Sequence, residues 1–198
     1  MSAETMLSFL QNCTPEGRMG FRVVTQCAPV LKGVKISNLI KVKPGEWREI
    51  RSRLKDSGII CVPLYRDEEK EVLFLYRYHP LEQHLKKQKV RRFLQKYGYE
   101  CCDVVSVLSR LRRRYRQYAA EGAQFPHELG VLLEYPVEDV EGFIENRGEN
   151  CLLSRYWKVY NNKQQAEQTF RLYDQVKEQA LREIMNGRSL YQVAVSAG

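Results

Sequence analysis

The stretch Ile59-Ile-Cys-Val-Pro-Leu-Tyr65-Arg-Asp-Glu-Glu-Lys-Glu-Val72-Leu-Phe-Leu-Tyr-Arg-Tyr78 decides how the chain is read. Two apolar runs, 59–65 and 72–78, flank a charged segment and predict a β-hairpin with a charged loop. Pro63 has no N–H to give to a ladder, so its strand should lie at a sheet edge or be interrupted there. Upstream, residues 35–42 read as another strand through Ile36, Leu39, Ile40 and Val42, ended by Pro44-Gly45. Between these strands, Trp47, Ile50 and Leu54 carry helical spacing over 46–56, closed by Gly58.

Beyond residue 80 the period becomes helical. Val104, Leu108, Leu111, Tyr115 and Tyr118 repeat on one face, with Asp103 placed to cap. Shorter helices are expected over 126–134 and 137–146, the second opened by Pro136. Residues 151–160 alternate around Leu153, Trp157 and Val159 and read as a late strand. A long closing helix follows through Ala166, Phe170, Tyr173, Val176, Ala180 and Ile184, ended by Gly187. At the other end, Ser2 caps a short amphipathic helix bearing Met6, Phe9, Leu10 and Cys13. The expectation is an α+β fold: a small antiparallel or mixed sheet of about four strands, a helical segment and a long C-terminal helix. A late strand needs a sheet, so 151–160 should return to the early one. That makes one domain over 1–187, with 188–198 a flexible tail.

Composition narrows the classes. With 198 residues, 43% hydrophobic and 28% charged, the chain is neither fibrous nor disordered. No run approaches the ~18 consecutive apolar residues of a membrane span. The start has no basic, apolar leader pattern, so a cytoplasmic protein with reduced thiols is expected. The six cysteines contain no C-x-x-C and the three histidines have no zinc spacing with them, so neither a metal nor a cofactor is expected. The common nucleotide-loop and hydrolase motifs are missing from the sequence.

Charge is uneven. Residues 32–116 carry 22 positive and 10 negative side chains, and 80–116 carry 11 against 3. Two clusters dominate: Lys86-Lys87-Gln-Lys89-Val-Arg91-Arg92 and Arg110-Leu-Arg112-Arg113-Arg114-Tyr-Arg116. One reading is a face for a polyanion: an anionic small molecule, an acidic protein or nucleic acid. The weightier reading is internal neutralisation by Glu134, Glu138, Asp139 and Glu141. Residues 129–144 have the rhythm of a helix-turn-helix, but the second helix carries Glu138, Asp139, Glu141 and Glu145, which phosphates would repel. A packed αα-hairpin is the better expectation.

The most suggestive thiol lies in Cys27-Ala-Pro29. Were Pro29 to open a helix, Cys27 would stand just ahead of its N-terminus, where a thiolate is favoured. His127, with Glu128 beside it, could then complete an acyl-transfer nucleophile. Nothing in the sequence joins these residues, and a structural cysteine with a helix-capping histidine is the commoner arrangement.

Three segments carry a resemblance: Cys27-Ala-Pro-Val-Leu-Lys-Gly; Phe125-Pro-His-Glu-Leu-Gly-Val-Leu-Leu-Glu-Tyr-Pro-Val-Glu-Asp-Val-Glu-Gly-Phe-Ile-Glu-Asn-Arg-Gly-Glu-Asn150; and Tyr156-Trp-Lys-Val-Tyr. Over roughly 20–175 the chain resembles a family of uncharacterised proteins common in anaerobic bacteria and treated as a domain of unknown function. The resemblance implies a bacterial cytosolic protein of one domain, with no activity and no catalytic residues to carry over. It also implies that the position of Glu134 is often Gly, a better turn residue. It directs attention to Cys27, His127, Glu128, Asn146, Asn150, Trp157 and Lys158; of these His127, Glu128 and Asn146 are equally suited to capping.

The reading that results is a binding or partner-docking module. Its ligand candidates are Lys86, Lys87, Arg110, Arg112, Arg113, Arg114, Arg116, Asn146 and Lys158. The alternative is a thiol-dependent enzyme using Cys27 with His127 and Glu128, and a weaker one is a nucleic-acid-binding regulator.

Overall fold

A computed structural model describes residues 2–196 and has an α+β architecture. Local chemistry sets the first elements. Ser2 accepts from the Thr5 N–H at 3.2 Å and starts α1 (Ala3–Asn12). Thr14 does the same for Gly17 at 3.1 Å, with Pro15 in the first turn of α2 (Pro15–Leu31). Then come β1 (Ser37–Val42), α3 (Glu46–Arg53), β2 (Ile59–Arg66) and β3 (Glu71–Arg77). A helical run follows: α4 (Tyr78–Lys86), α5 (Gln88–Lys96), α6 (Val104–Glu121), α7 (Glu128–Leu132) and α8 (Val137–Glu145). The chain closes with β4 (Leu153–Ser154), β5 (Lys158–Val159), α9 (Lys163–Met185) and α10 (Leu190–Val195). No described helix is long and apolar enough to cross a membrane.

The main sheet is antiparallel in the order β1-β3-β2, with Leu39 opposite Phe74 and Cys61 opposite Leu75. Pro63 falls on an edge strand, and the register shifts between Pro63 and Tyr65. Both outcomes follow from its missing N–H. β3 is the middle strand, and 71–76 are buried without interruption. Its alternation feeds two cores. Leu73 and Leu75 meet Val23, Val24 and Leu31 of α2 and Ala180 and Ile184 of α9. Val72, Phe74 and Tyr76 face the other way, into Leu81, Phe93, Val107 and Leu111. Beyond the bulge, Leu64 and Tyr65 both turn to this second side.

Three expectations are corrected. The late strand does not rejoin the sheet: β4 and β5 pair only with each other, a two-residue ladder closed by Arg155 N–H donating to Trp157 O at 3.2 Å. What reads as one alternating strand is the two arms of a tight reversal. Pro29 does not open a helix but lies inside the last turns of α2. The expected tail from 188 instead turns into α10, where Ser189 and Gln192 form a capping box and Leu190, Val193 and Ala194 are buried. The last two residues, 197–198, lie outside the described ones. Lys32 helps hold this end: its ammonium donates to both Glu183 oxygens, at 2.7 and 2.9 Å, and to Ser196 Oγ at 2.7 Å.

Buried Asp139 ties the β4–β5 reversal to α8. Its Oδ2 accepts from Trp157 Nε1 at 2.7 Å, and its Oδ1 accepts from the N–H groups of Tyr160 and Asn161 at 2.8 and 2.9 Å. Two glycines permit the approach. A Cβ on Gly142 would fall 2.6 Å from Tyr160 Cβ, and one on Gly130 would fall 2.9 Å from Val140 Cγ2. The bend between α7 and α8 places Glu134 at φ 66°, a left-handed conformation that suits Gly. Its carboxylate offsets the strain by accepting from the Ile36 N–H at 2.8 Å.

Two measurements follow. Asp139→Ala leaves the indole N–H and two backbone N–H groups without their charged acceptor. Urea unfolding should show a loss of about 3–5 kcal/mol with an unchanged slope. His84 is the second probe: Nε2 lies 3.0 Å from Val131 O, buried Nδ1 has no partner among the described residues, and burial depresses its pKa from 6.5 to about 4. Between those pH values the unfolded chain takes up a proton that the folded one refuses. Stability present above pH 6.5 should therefore drain as pH falls towards 4, by about 3 kcal/mol at full extent, and His84→Gln should flatten that part of the profile.

Candidate functional site

The basic helix α6 begins where Asp103 Oδ1 accepts from the Ser106 N–H at 2.9 Å. Val104, Val107, Leu108, Leu111 and Tyr115 form its buried stripe, whereas Tyr118, expected inside, is 40% exposed. That phase splits the five arginines. Arg110 donates to Tyr97 O at 3.2 and 2.8 Å, and its guanidinium stands 5.2 Å from the Tyr99 ring centroid. Arg114 pairs with fully buried Glu128, which also accepts from Tyr99 Oη at 3.0 Å. These two arginines serve the fold. Arg112, Arg113 and Arg116 point the other way and line a cleft against β2 and α3.

This cleft has a volume of about 570 Å³. The β2 bulge supplies Tyr65 and Arg66 to its wall, and the start of α3 supplies Trp47 and Arg48. Five guanidiniums therefore surround one space. Glu71 is the one acid lining it, and that carboxylate is fully buried and already engaged. It lies 3.1 Å from Arg66 Nε and accepts from the Trp47 N–H at 3.2 Å. Arg48, Arg112, Arg113 and Arg116 have no ion pair among the described residues. The guanidiniums of Arg48 and Arg51 stand 5.9 and 5.8 Å from the Trp47 ring. Planar forks of donors suit phosphate or carboxylate oxygens, and the two aromatic rings offer faces to a planar group.

The lysine cluster has a different fate. Lys86 pairs with Glu82 at 3.1 Å, Lys89 with Glu138, and Lys96 with Glu141 at 2.7 Å. Internal neutralisation thus operates between α5 and α8 but leaves the outer arginines of α6 untouched. Two acids expected to share in it are used elsewhere: Glu134 and Asp139 bind backbone N–H groups. Lys87 is exposed at the junction of α4 and α5. Asn146 closes α8, donating to Gly142 O at 2.8 Å. Lys158 donates to Gly148 O at 2.6 Å and does not line the α6 cleft.

The thiol triad is not assembled. Cys27 is fully buried in the α2 core, with Asn38 Nδ2 at 3.4 Å, and burial pushes its pKa up to about 11 despite Asn38 and Lys35. His127 belongs to the opposite side of the sheet, between the Phe125 and Phe143 rings at 5.5 and 5.7 Å. Glu128 is spent on Arg114 and Tyr99. The sequence reading missed Trp47, Arg48, Tyr65 and Arg66. A signal was present: the net positive charge of 32–116 extends well upstream of residue 80, through Arg48, Arg51, Arg53 and Lys55.

Residues 23–194 match the family described as a protein of unknown function (DUF3793), and the chain belongs to that family. No curated protein and no solved structure matches it.

Thiol labelling checks the assignment of Cys27. At pH 8 a group of pKa about 11 is thiolate to about one part in a thousand. Iodoacetamide followed by peptide mass mapping should modify exposed Cys101 first and reach Cys27 and Cys61 only on unfolding.

Proposed function

We propose that this protein is a binding module that takes a compact, phosphate-bearing or otherwise multiply anionic ligand into the cleft between α3, β2 and α6. The observation that carries this reading is the convergence on one space of Arg48, Arg112, Arg113 and Arg116, which have no ion pair among the described residues, beside Arg66, which is paired with the single acid Glu71. Like charges are not gathered this way for stability, because their mutual repulsion favours the unfolded chain. Only a counter-charge offsets the arrangement. The cleft volume lies within the usual range for small-ligand sites. Trp47 and Tyr65 supply apolar surface beside the guanidiniums, which suits an anion attached to a planar body.

An acidic segment of a protein partner would meet the same arginines, and the two sources separate by size. A short polyphosphate fills the cleft by itself, whereas a peptide needs flanking surface. The thiol-dependent reading has less support, since Cys27 and His127 lie on opposite faces of the sheet. A reducing bacterial cytoplasm fits the six free thiols, of which Cys27 and Cys61 pack as small apolar groups.

Titration calorimetry with inorganic tripolyphosphate tests the proposal. Binding should be measurable at low salt and weaken steeply as salt rises. Arg112→Glu with Arg113→Glu should reduce affinity about a hundredfold, about tenfold for each lost charge-assisted contact. Lys163→Glu, on α9, should leave it within about twofold, as expected of an exposed charge outside the cleft. No heat at low salt, or equal losses in both variants, would overturn the reading.

A further inference from the structure

A second cleft, of about 310 Å³, lies across the sheet from Cys27, under α7 and α8. Most of its wall comes from the 125–150 motif, which the anion-binding reading leaves unused, and Leu39, Trp157 and Lys158 complete it. Leu133, Val140, Phe125, Phe143 and Trp157 make it chiefly apolar, with His127, Lys158 and the Tyr135 hydroxyl as the polar exceptions besides Asp139. Asp139 is already spoken for, since both of its oxygens hold Trp157 and the backbone of 160–161. That leaves one cation, one imidazole and the Tyr135 phenol, whose ring stacks on Trp157, lining an apolar slot.

The cation is held in place. Lys158 donates to Gly148 O at 2.6 Å and its ammonium stands 5.9 Å from the Phe143 ring centroid, yet the residue is exposed and keeps two further donors. The carbonyl that anchors it sits in an unusual piece of backbone: Arg147, Gly148 and Asn150 have φ of 51, 77 and 56°. Asn150 tolerates the left-handed region, whereas Arg147 is an uncommon residue there. The wall is also tight, because a Cβ on Gly148 would fall 3.1 Å from Phe143 Cε2. His127 lies between Phe125, which it meets edge-on, and Phe143, against which it is tilted, and burial lowers its pKa, so that at neutral pH it offers a neutral hydrogen bond.

We infer that this cleft binds a small apolar carboxylate, an aromatic or branched-chain acid whose body packs between Phe143, Val140 and Trp157 while its carboxylate meets Lys158 and His127. The volume sits at the lower end of small-molecule sites and admits a body of one or two rings. Charge complementarity selects an acid over its amide. The site shares no lining residue with the arginine cleft, so either can fail without the other.

The two tryptophans, one per cleft, make the test direct. In a Trp47→Phe variant the remaining fluorescence comes from Trp157, which a bromine atom in the cleft quenches. Titration with 4-bromobenzoate should quench saturably, and 4-bromobenzamide should bind about tenfold more weakly, the worth of one charge-assisted contact. Lys158→Met keeps the stem over Phe143 and should bring the acid down to the amide. Arg112→Glu with Arg113→Glu should change neither. Only linear, collisional quenching up to millimolar acid would overturn the inference. So would equal affinity of acid and amide in a chain that retains Lys158, and calorimetry on the unsubstituted protein gives the same comparison without any variant.

Discussion

The structure depends on β3 being buried on both faces. A strand with a single covered face alternates apolar and polar side chains, whereas β3 runs Val72-Leu-Phe-Leu-Tyr76 without a polar residue and demands a layer on each side. α2 and α9 supply one layer and α4 to α8 the other. Both flanking strands are antiparallel to β3 and so parallel to each other, and only the short α3 crosses between them, so the other covering helices arrive from outside the sheet segment, before β1 or after β3. This explains why the C-terminal helices pack on α2, near the start. It also separates Cys27 from His127, since each belongs to a different layer.

Charged groups fall into three physical situations. Some are buried and satisfied: Glu128 with Arg114 and Tyr99, Lys32 with Glu183, Asp139 with Trp157 and backbone. Removing one partner from such a set leaves a charge with nothing to replace water, so these pairs specify the packing more than they add stability. Others are exposed lysine–glutamate pairs between α5 and α8, which contribute little individually. The third group, the outer arginines of α6 with Arg48, is neither buried nor ion-paired among the described residues, and Arg66 beside it pairs with Glu71. Its position at the edge of the sheet follows from Pro63: the bulge that the missing N–H imposes turns Tyr65 and Arg66 towards α6.

The two clefts differ in chemistry. The arginine cleft is walled by groups that attract multiple negative charge, and its aromatic rings are secondary. The cleft under α7 and α8 reverses the proportions, with a mainly apolar wall and one lysine. Its geometry rests on the Asp139 anchor, because Trp157 contributes to the wall only while α8 holds the β4–β5 reversal in place. Substitutions at Gly130 or Gly142 would disturb the same packing, since neither site has room for a Cβ.

What the sequence determines by itself is local. The hairpin, the edge position of Pro63, the cap at Asp103, the spacing of the long helices and the acidic αα-hairpin all depend on neighbours within one or two turns, where propensity and periodicity act. Tertiary structure alone decided the rest. Whether 151–160 joins the sheet depends on a carboxylate eighteen residues before Trp157, and Leu153, Trp157 and Val159 alternate equally well in a strand or in two short arms. Pro29 favours a helix start on local grounds, and it is the packing of α2 on the sheet that carries the helix through it and makes Cys27 interior. The arginines of α6 are alike in the sequence. Which of them find Glu128 or Tyr97, and which are left around open space with Trp47 and Tyr65, is set by the rotation of one helix on a sheet. That rotation is fixed by side-chain volumes from elements distant in the chain, and no local pattern carries that information.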